Sequence, residues 1–150
     1  SISHNERSCA VVVAQNSVVT SVGIDIETIG RIDRHLWANL FTEEETEHLQ
    51  QLEPAAQSRQ ATVLFSIKEA FYKYQFPITQ SWVGFRDVSV HQEDASLYRL
   101  TAQINDATLA NTVLAVVESV GTDQVIALVI DQSVLKATGG QLGRHDAAAP

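Results

Sequence analysis

Val22-Gly23-Ile24-Asp25-Ile26-Glu27 is the stretch on which both fold and chemistry turn. An extended chain points alternate side chains to opposite faces. Val22, Ile24 and Ile26 therefore share one face, and Gly23, Asp25 and Glu27 share the other. The apolar face is expected to anchor the strand in the core. The second face carries two carboxylates with a glycine just before them. Like charges this close repel unless something neutralises them. A hard divalent cation is one answer, because magnesium is held by one or two carboxylates together with substrate phosphates. A strand with one solvated face is the other, and this segment alone leaves both open.

Upstream, residues 9–14 (Cys-Ala-Val-Val-Val-Ala) read as a short buried strand rich in β-branched residues. Gln15-Asn16-Ser17 breaks it, and the apolar run from Val18 suggests a hairpin leading into Val22–Glu27. Gly30 ends the strand region. Thr42-Glu43-Glu44-Glu45 has the form of a capping box, with Thr42 as N-cap and Glu45 reaching back. That helix is expected to reach about Leu52 and stop near Pro54. A longer helix fits Ala56–Tyr74, its end set by Pro77, which biases Phe76 away from helical geometry. Residues 83–91, 97–104, 112–118 and 124–130 read as strands, the last two joined by Gly121-Thr122-Asp123 in a hairpin. From Ala137 the chain is Gly- and Ala-rich without periodicity. Residues 1–136 are thus expected to form one domain and 137–150 a disordered tail. The fold class is α+β, an antiparallel sheet packed on two main helices.

A second segment, Phe65-Ser66-Ile67-Lys68-Glu69-Ala70-Phe71-Tyr72-Lys73, lies on the long helix. Glu69 and Lys73 are i and i+4 neighbours on one face. Glu69 offers a third carboxylate to a metal, and Lys73 a charge for a phosphate or a proton for a leaving group. The competing view is an ordinary surface pair of a few tenths of a kcal/mol. Lys68 points roughly 100° away from Glu69 around the helix. Ahead of the first strand, Ser1-Ile2-Ser3-His4 places a small hydroxyl beside a histidine, a pair able to donate to phosphate oxygens. A simply solvated loop is the alternative.

Composition narrows the field. The 150 residues are 45% hydrophobic and 19% charged, a globular balance. The net charge of −8 argues against non-specific binding to nucleic acid or anionic membrane. Cys9 is the sole cysteine, which excludes an intramolecular disulfide and a cysteine zinc site, and a cytoplasmic location is expected. No apolar run approaches the ~20 residues of a membrane helix. The sequence contains no methionine, and it is expected to begin part-way into a longer protein.

Taken together, Ser1-Ile2-Ser3-His4, Gly23-Ile24-Asp25-Ile26-Glu27 and Ser66-Ile67-Lys68-Glu69-Ala70-Phe71-Tyr72-Lys73 resemble the motifs of the phosphopantetheinyl transferases, most closely the surfactin- and enterobactin-synthase type. Leu40-Phe41-Thr42 with Glu45 is similar to that family too. The resemblance implies magnesium-dependent transfer of the phosphopantetheine arm of coenzyme A to a serine of an acyl, peptidyl or aryl carrier protein. It implies Asp25, Glu27 and Glu69 as magnesium ligands, and Ser3 and His4 at the coenzyme A phosphates. Lys68 and Lys73 would lie near the pyrophosphate, and Glu69 would be the candidate general base. It also implies the C-terminal lobe of a two-lobe enzyme, completed by an N-terminal lobe or by self-association. Secondary metabolism such as siderophore biosynthesis goes with the resemblance, although the residues themselves choose no pathway. Two departures stand out: Phe65 replaces the family's usual tryptophan, and Tyr74–Thr79 replaces a glycine-rich stretch.

Two other functions use similar residues. A metal-dependent nuclease or phosphodiesterase also needs carboxylates and a lysine, but the net acidity and missing basic stripe count against it. A non-catalytic binding domain that keeps the fold is the other.

Overall fold

The structure is a computed structural model that describes residues 1–103 and 112–131. A small hairpin, β1 (Ile2–His4) with β2 (Cys9–Val11), comes first, followed by β3 (Val22–Thr28). Three helices occupy the middle: α1 (Trp37–Leu40), α2 (Glu43–Gln51) and α3 (Pro54–Thr79). The strands β4 (Val88–Gln92), β5 (Leu97–Ala102), β6 (Thr112–Val120) and β7 (Gln124–Asp131) complete the α+β fold. The main sheet is antiparallel in the order β3-β7-β6-β5-β4, so the first long strand pairs with the last. The expected hairpin at Gly121 is present, with Val120 opposite Gln124 and Gly121 at φ +62°. The tail expected from Ala137 lies outside the described residues.

Helix α3 covers one face of the sheet. Ile67, Phe71 and Tyr74 from the helix meet Tyr98, Leu100, Val113, Val125 and Val129 from the strands in the main core. On β7, Val125, Ala127 and Val129 face this core, and they stand opposite Glu27, Asp25 and Gly23. The carboxylate face of β3 is therefore the one that packs under α3. Ile24 and Ile26 turn the other way, into a small cluster with Ala10, Val12 and Ile126. This corrects the expectation that the isoleucine face anchors β3 in the principal core. Both faces are covered, and the helix claims the charged one.

Three boundaries also differ. Cys9–Val11 pairs back onto Ile2–His4 instead of forward into a strand at Val18, and Val13 and Val18 are exposed. Ser1 and Ser3 sit early enough to close that shorter hairpin against β3. Helix α3 starts at Pro54, where the ring's fixed φ suits the first turn. It continues through Pro77 to Thr79 and ends at Gln80 in the left-handed conformation. A proline this near the C-terminus removes only one ladder bond. The last turn is held instead by Thr79 Oγ1 donating to Gln75 Oε1 at 2.6 Å and by Gln75 Nε2 donating to Ser81 O at 3.2 Å. The capping box of α2 forms as expected, with Glu45 N donating to Thr42 Oγ1 and Thr42 N to Glu45 Oε2. Among the described residues no helix is long and apolar enough to cross a membrane.

Candidate active site

Gly23 determines how close the helix comes. A Cβ at this position would lie 1.8 Å from Ala70 O and 2.7 Å from Tyr74 N. Only a glycine lets the backbone of α3 rest on β3, and that crossing sets Glu69 and Lys73 beside Asp25. Asp25 is 2% exposed. Its Oδ1 accepts hydrogen bonds from Ser3 Oγ at 2.8 Å and Lys73 Nζ at 2.7 Å. Its Oδ2 is buried without a partner. A buried carboxylate oxygen left unpaired is costly, and it marks the point where a further cation or donor fits.

Burial raises the carboxyl of Glu27 above its ordinary value, and the charges of Asp25 and Glu69 push the same way, against Lys73 and Arg31. Burial also raises Glu69, with Asp25 adding to it and Lys73 opposing. The carboxylates thus feel one another, and Lys73 partly neutralises the group. The expectation of a solvated surface pair is not met, because Lys73 ion-pairs across elements to Asp25.

The remaining expected site residues fare differently. Ser3 is buried, and its single hydroxyl proton is given to Asp25 while its oxygen accepts from Ile26 N at 3.3 Å. It orients Asp25 rather than offering a proton outward. His4 is exposed on β1. Lys68 turns away from the carboxylate cluster. Its ammonium is buried and donates to Glu45 Oε2 at 2.6 Å, Phe85 O at 2.8 Å and Leu40 O at 3.1 Å. An ammonium has three donors, so none is left for a pyrophosphate. Burial lowers the Lys68 pKa, opposed by the Glu45 charge and hydrogen bond.

Two contributors were missed from sequence. Ser1 Oγ accepts from Ile24 N at 3.2 Å and, with Ser3, caps the outer edge of β3. Glu45 does more than cap α2, since it pairs with Lys68 and its Oε1 accepts from Val90 N at 2.9 Å. The signal for that pair was present. Lys68 falls in the apolar stripe of Leu64, Ile67 and Phe71, where a cation needs a buried partner.

Among the described residues no group of three or more His, Cys, Asp or Glu side chains is arranged to hold a metal ion. The donor set nonetheless suits magnesium, which needs only one or two carboxylates when substrate phosphates and water supply the rest. The free Oδ2 of Asp25 and the neighbouring Glu27 and Glu69 are of that kind.

The family model described as ACPS, 4'-phosphopantetheinyl transferase superfamily, matches residues 21–129. The chain belongs to that superfamily. The 4'-phosphopantetheinyl transferase PptT of Mycobacterium tuberculosis is 32% identical over 96 residues, which are 64% of this chain and 42% of the relative. The chain thus spans less than half the length of that curated relative. Two solved structures share the transferase fold. The holo-[acyl-carrier-protein] synthase of Thermotoga maritima superposes with a TM-score of 0.60 at 19% identity, over 79% of this chain and 74% of that one. A holo-(acyl-carrier-protein) synthase of Bacillus anthracis, in complex with CoA (3',5'-ADP), gives 0.57 at 21% identity, over 75% and 95%. The matched span of the superfamily includes Gly23, Asp25, Glu27, Glu69 and Lys73, and excludes Ser1, Ser3 and His4.

Proposed function

We propose that this chain carries the metal-binding half of a phosphopantetheinyl transferase, which moves the phosphopantetheine arm of coenzyme A onto a serine of an apo acyl, peptidyl or aryl carrier protein. The observation that carries the proposal is Asp25: a nearly fully buried carboxylate, fixed through one oxygen by Ser3 and Lys73, with its second oxygen unpartnered. Asp25, Glu27 and Glu69 are proposed to hold magnesium, which when bound neutralises charge on the coenzyme A pyrophosphate.

The rest falls to the chain's own residues. The carrier serine oxygen bonds to the phosphorus that bears the pantetheine arm, the pyrophosphate P–O bond breaks, and 3',5'-ADP departs. The serine proton needs an acceptor. Glu69 suits that task, directly or through water, because a raised pKa brings a carboxylate nearer the operating range of a general base. Lys73 is proposed to offer charge to the phosphates when they compete with Asp25 for its ammonium. His4, exposed on the adjoining hairpin, is proposed as an outer phosphate contact. Coenzyme A is strongly anionic and this chain is at −8. Further cationic surface is therefore proposed to come from another lobe or another copy. A cytoplasmic setting is proposed with this reading.

The test is mass spectrometry of several apo carrier proteins incubated with the full-length protein, coenzyme A and magnesium. A gain of one phosphopantetheine on a carrier serine, abolished by chelator, is expected. No gain on any carrier overturns the proposal.

A further inference from the structure

Lys68 and Glu45 form a buried junction that the transfer step proposed above leaves without a role. The two side chains are 1% and 5% exposed and 2.6 Å apart. The ammonium binds the end of α1 through Leu40 O and the turn before β4 through Phe85 O. The carboxylate binds Thr42 N at the head of α2 and Val90 N in the edge strand β4. One ion pair thus ties α1, α2, α3, β4 and the segment 80–87 together. Burying two charges costs several kcal/mol each before their attraction is counted, and apolar residues of similar size often hold a core equally well. Stability alone is therefore a weak reason for the pair.

Geometry supplies a stronger one. Lys68 and Tyr72 form one row along α3, and Glu69 and Lys73 form the next. The first row holds segment 80–87. Lys68 binds its Phe85 carbonyl, and Tyr72 packs on Trp82 with ring centroids 5.4 Å apart, while Phe76 stacks on Tyr72 at 5.4 Å. Lys68, Tyr72, Trp82 and Phe85 enclose a small cleft between segment and helix. Trp82 itself is 78% exposed, and the segment is fastened besides by Gln75 Nε2 donating to Ser81 O at 3.2 Å, by the Phe65 and Phe85 rings 5.6 Å apart and by Val83 against the main core.

We propose that the Lys68–Glu45 pair is a positioning latch. It fixes the rotation of α3, the helix that carries Glu69 and Lys73, and draws segment 80–87 against it. This rests on the transferase proposal for its kinetic consequence but not for its structural one.

The test uses the full-length protein with Lys68→Met, Glu45→Gln and the double Lys68→Met/Glu45→Gln. The double leaves no unpaired buried charge, and the amide oxygen of the introduced glutamine still accepts from one backbone N–H. Its Tm is expected above that of either single variant. In it, hydrogen exchange of residues 80–87 is expected to be about tenfold faster with α3 unchanged. Its kcat is expected to fall about tenfold or more, with a smaller change in KM for coenzyme A. A double variant with parental exchange in 80–87, or with parental kcat, overturns the latch. If the double fails to fold, Lys68→Arg keeps the charge pair but not the three-point geometry, and the same two readouts apply. A parent protein inactive on every carrier overturns the transferase proposal instead, and exchange in 80–87 then judges the latch alone.

Discussion

The carbonyl oxygen of Ala70 occupies the place where a side chain on Gly23 would begin, 1.8 Å from the position of that missing Cβ. The contact is backbone against backbone, so no rotamer change relieves it. Gly23→Ala is expected to lift α3 from β3 and cost about 1–3 kcal/mol or more, the range for overpacking a tight core. Urea unfolding measures the cost. A variant with parental stability would show that the helix can shift freely.

Asp25→Ala removes the acceptor shared by Ser3 and Lys73. Because Asp25 is buried under α3, the change is expected to cost about 1–3 kcal/mol as well as transfer activity. Asp25→Asn keeps the shape and an acceptor oxygen, and is expected to lose activity with a smaller loss of stability. Thermal melts beside the carrier assay separate the two effects. Equal stability of the alanine variant and the parent would contradict the buried hydrogen-bond network.

The raised Glu27 and Glu69 carboxyls make stability depend on pH. Above their ordinary value of 4.5, the folded state holds protons that the unfolded state has released. Their contribution is therefore full below about that pH and is lost as pH rises through the raised values. In chelator, the stability of the parent is expected to fall over that window more steeply than that of Glu27→Gln, and magnesium is expected to remove most of the difference. Parallel pH profiles for the two proteins would count against the coupling.

Glu69 and Lys73 should part in kind. Glu69→Gln is expected to abolish turnover and blunt the rise in Tm on adding magnesium. Lys73→Ala is expected to weaken coenzyme A binding by about 1–3 kcal/mol, the size of a lost charged hydrogen bond, as isothermal titration would record. Lys73→Ala with parental coenzyme A affinity would leave Lys73 solely as the partner of Asp25.

Strand β3, the α2 capping box and the Gly121 hairpin were legible because their determinants are local: alternation, a four-residue cap and a turn. The partnering of the faces of β3 was not. Alternation says that Asp25 and Ile24 point apart, but which face meets the helix depends on Gly23 and Ala70 touching across the fold. The Gly-x-Asp-x-Glu spacing identified the carboxylates without revealing that a glycine precedes them to admit the helix. Pro77 misled in the other direction, since a residue-by-residue rule ended α3 early while Gln75, Thr79 and Ser81 held its last turn together. Lys68 was placed at the pyrophosphate by motif alone, and its three acceptors come from segments that no local pattern joins.

The pairing of β3 with β7 has a temporal consequence. During synthesis the strand bearing Asp25 emerges roughly a hundred residues before its neighbour in the sheet, and closing a loop of that length is the slow, entropically costly part of such topologies. Helix α3 can form early, yet Gly23 and Ala70 have no sheet to meet upon until Gln124–Asp131 slots between β3 and β6. Asp25 is therefore expected to be fully enclosed late, and a nascent chain halted before β7 would carry every carboxylate of the cluster beside a sheet still missing the strand next to β3.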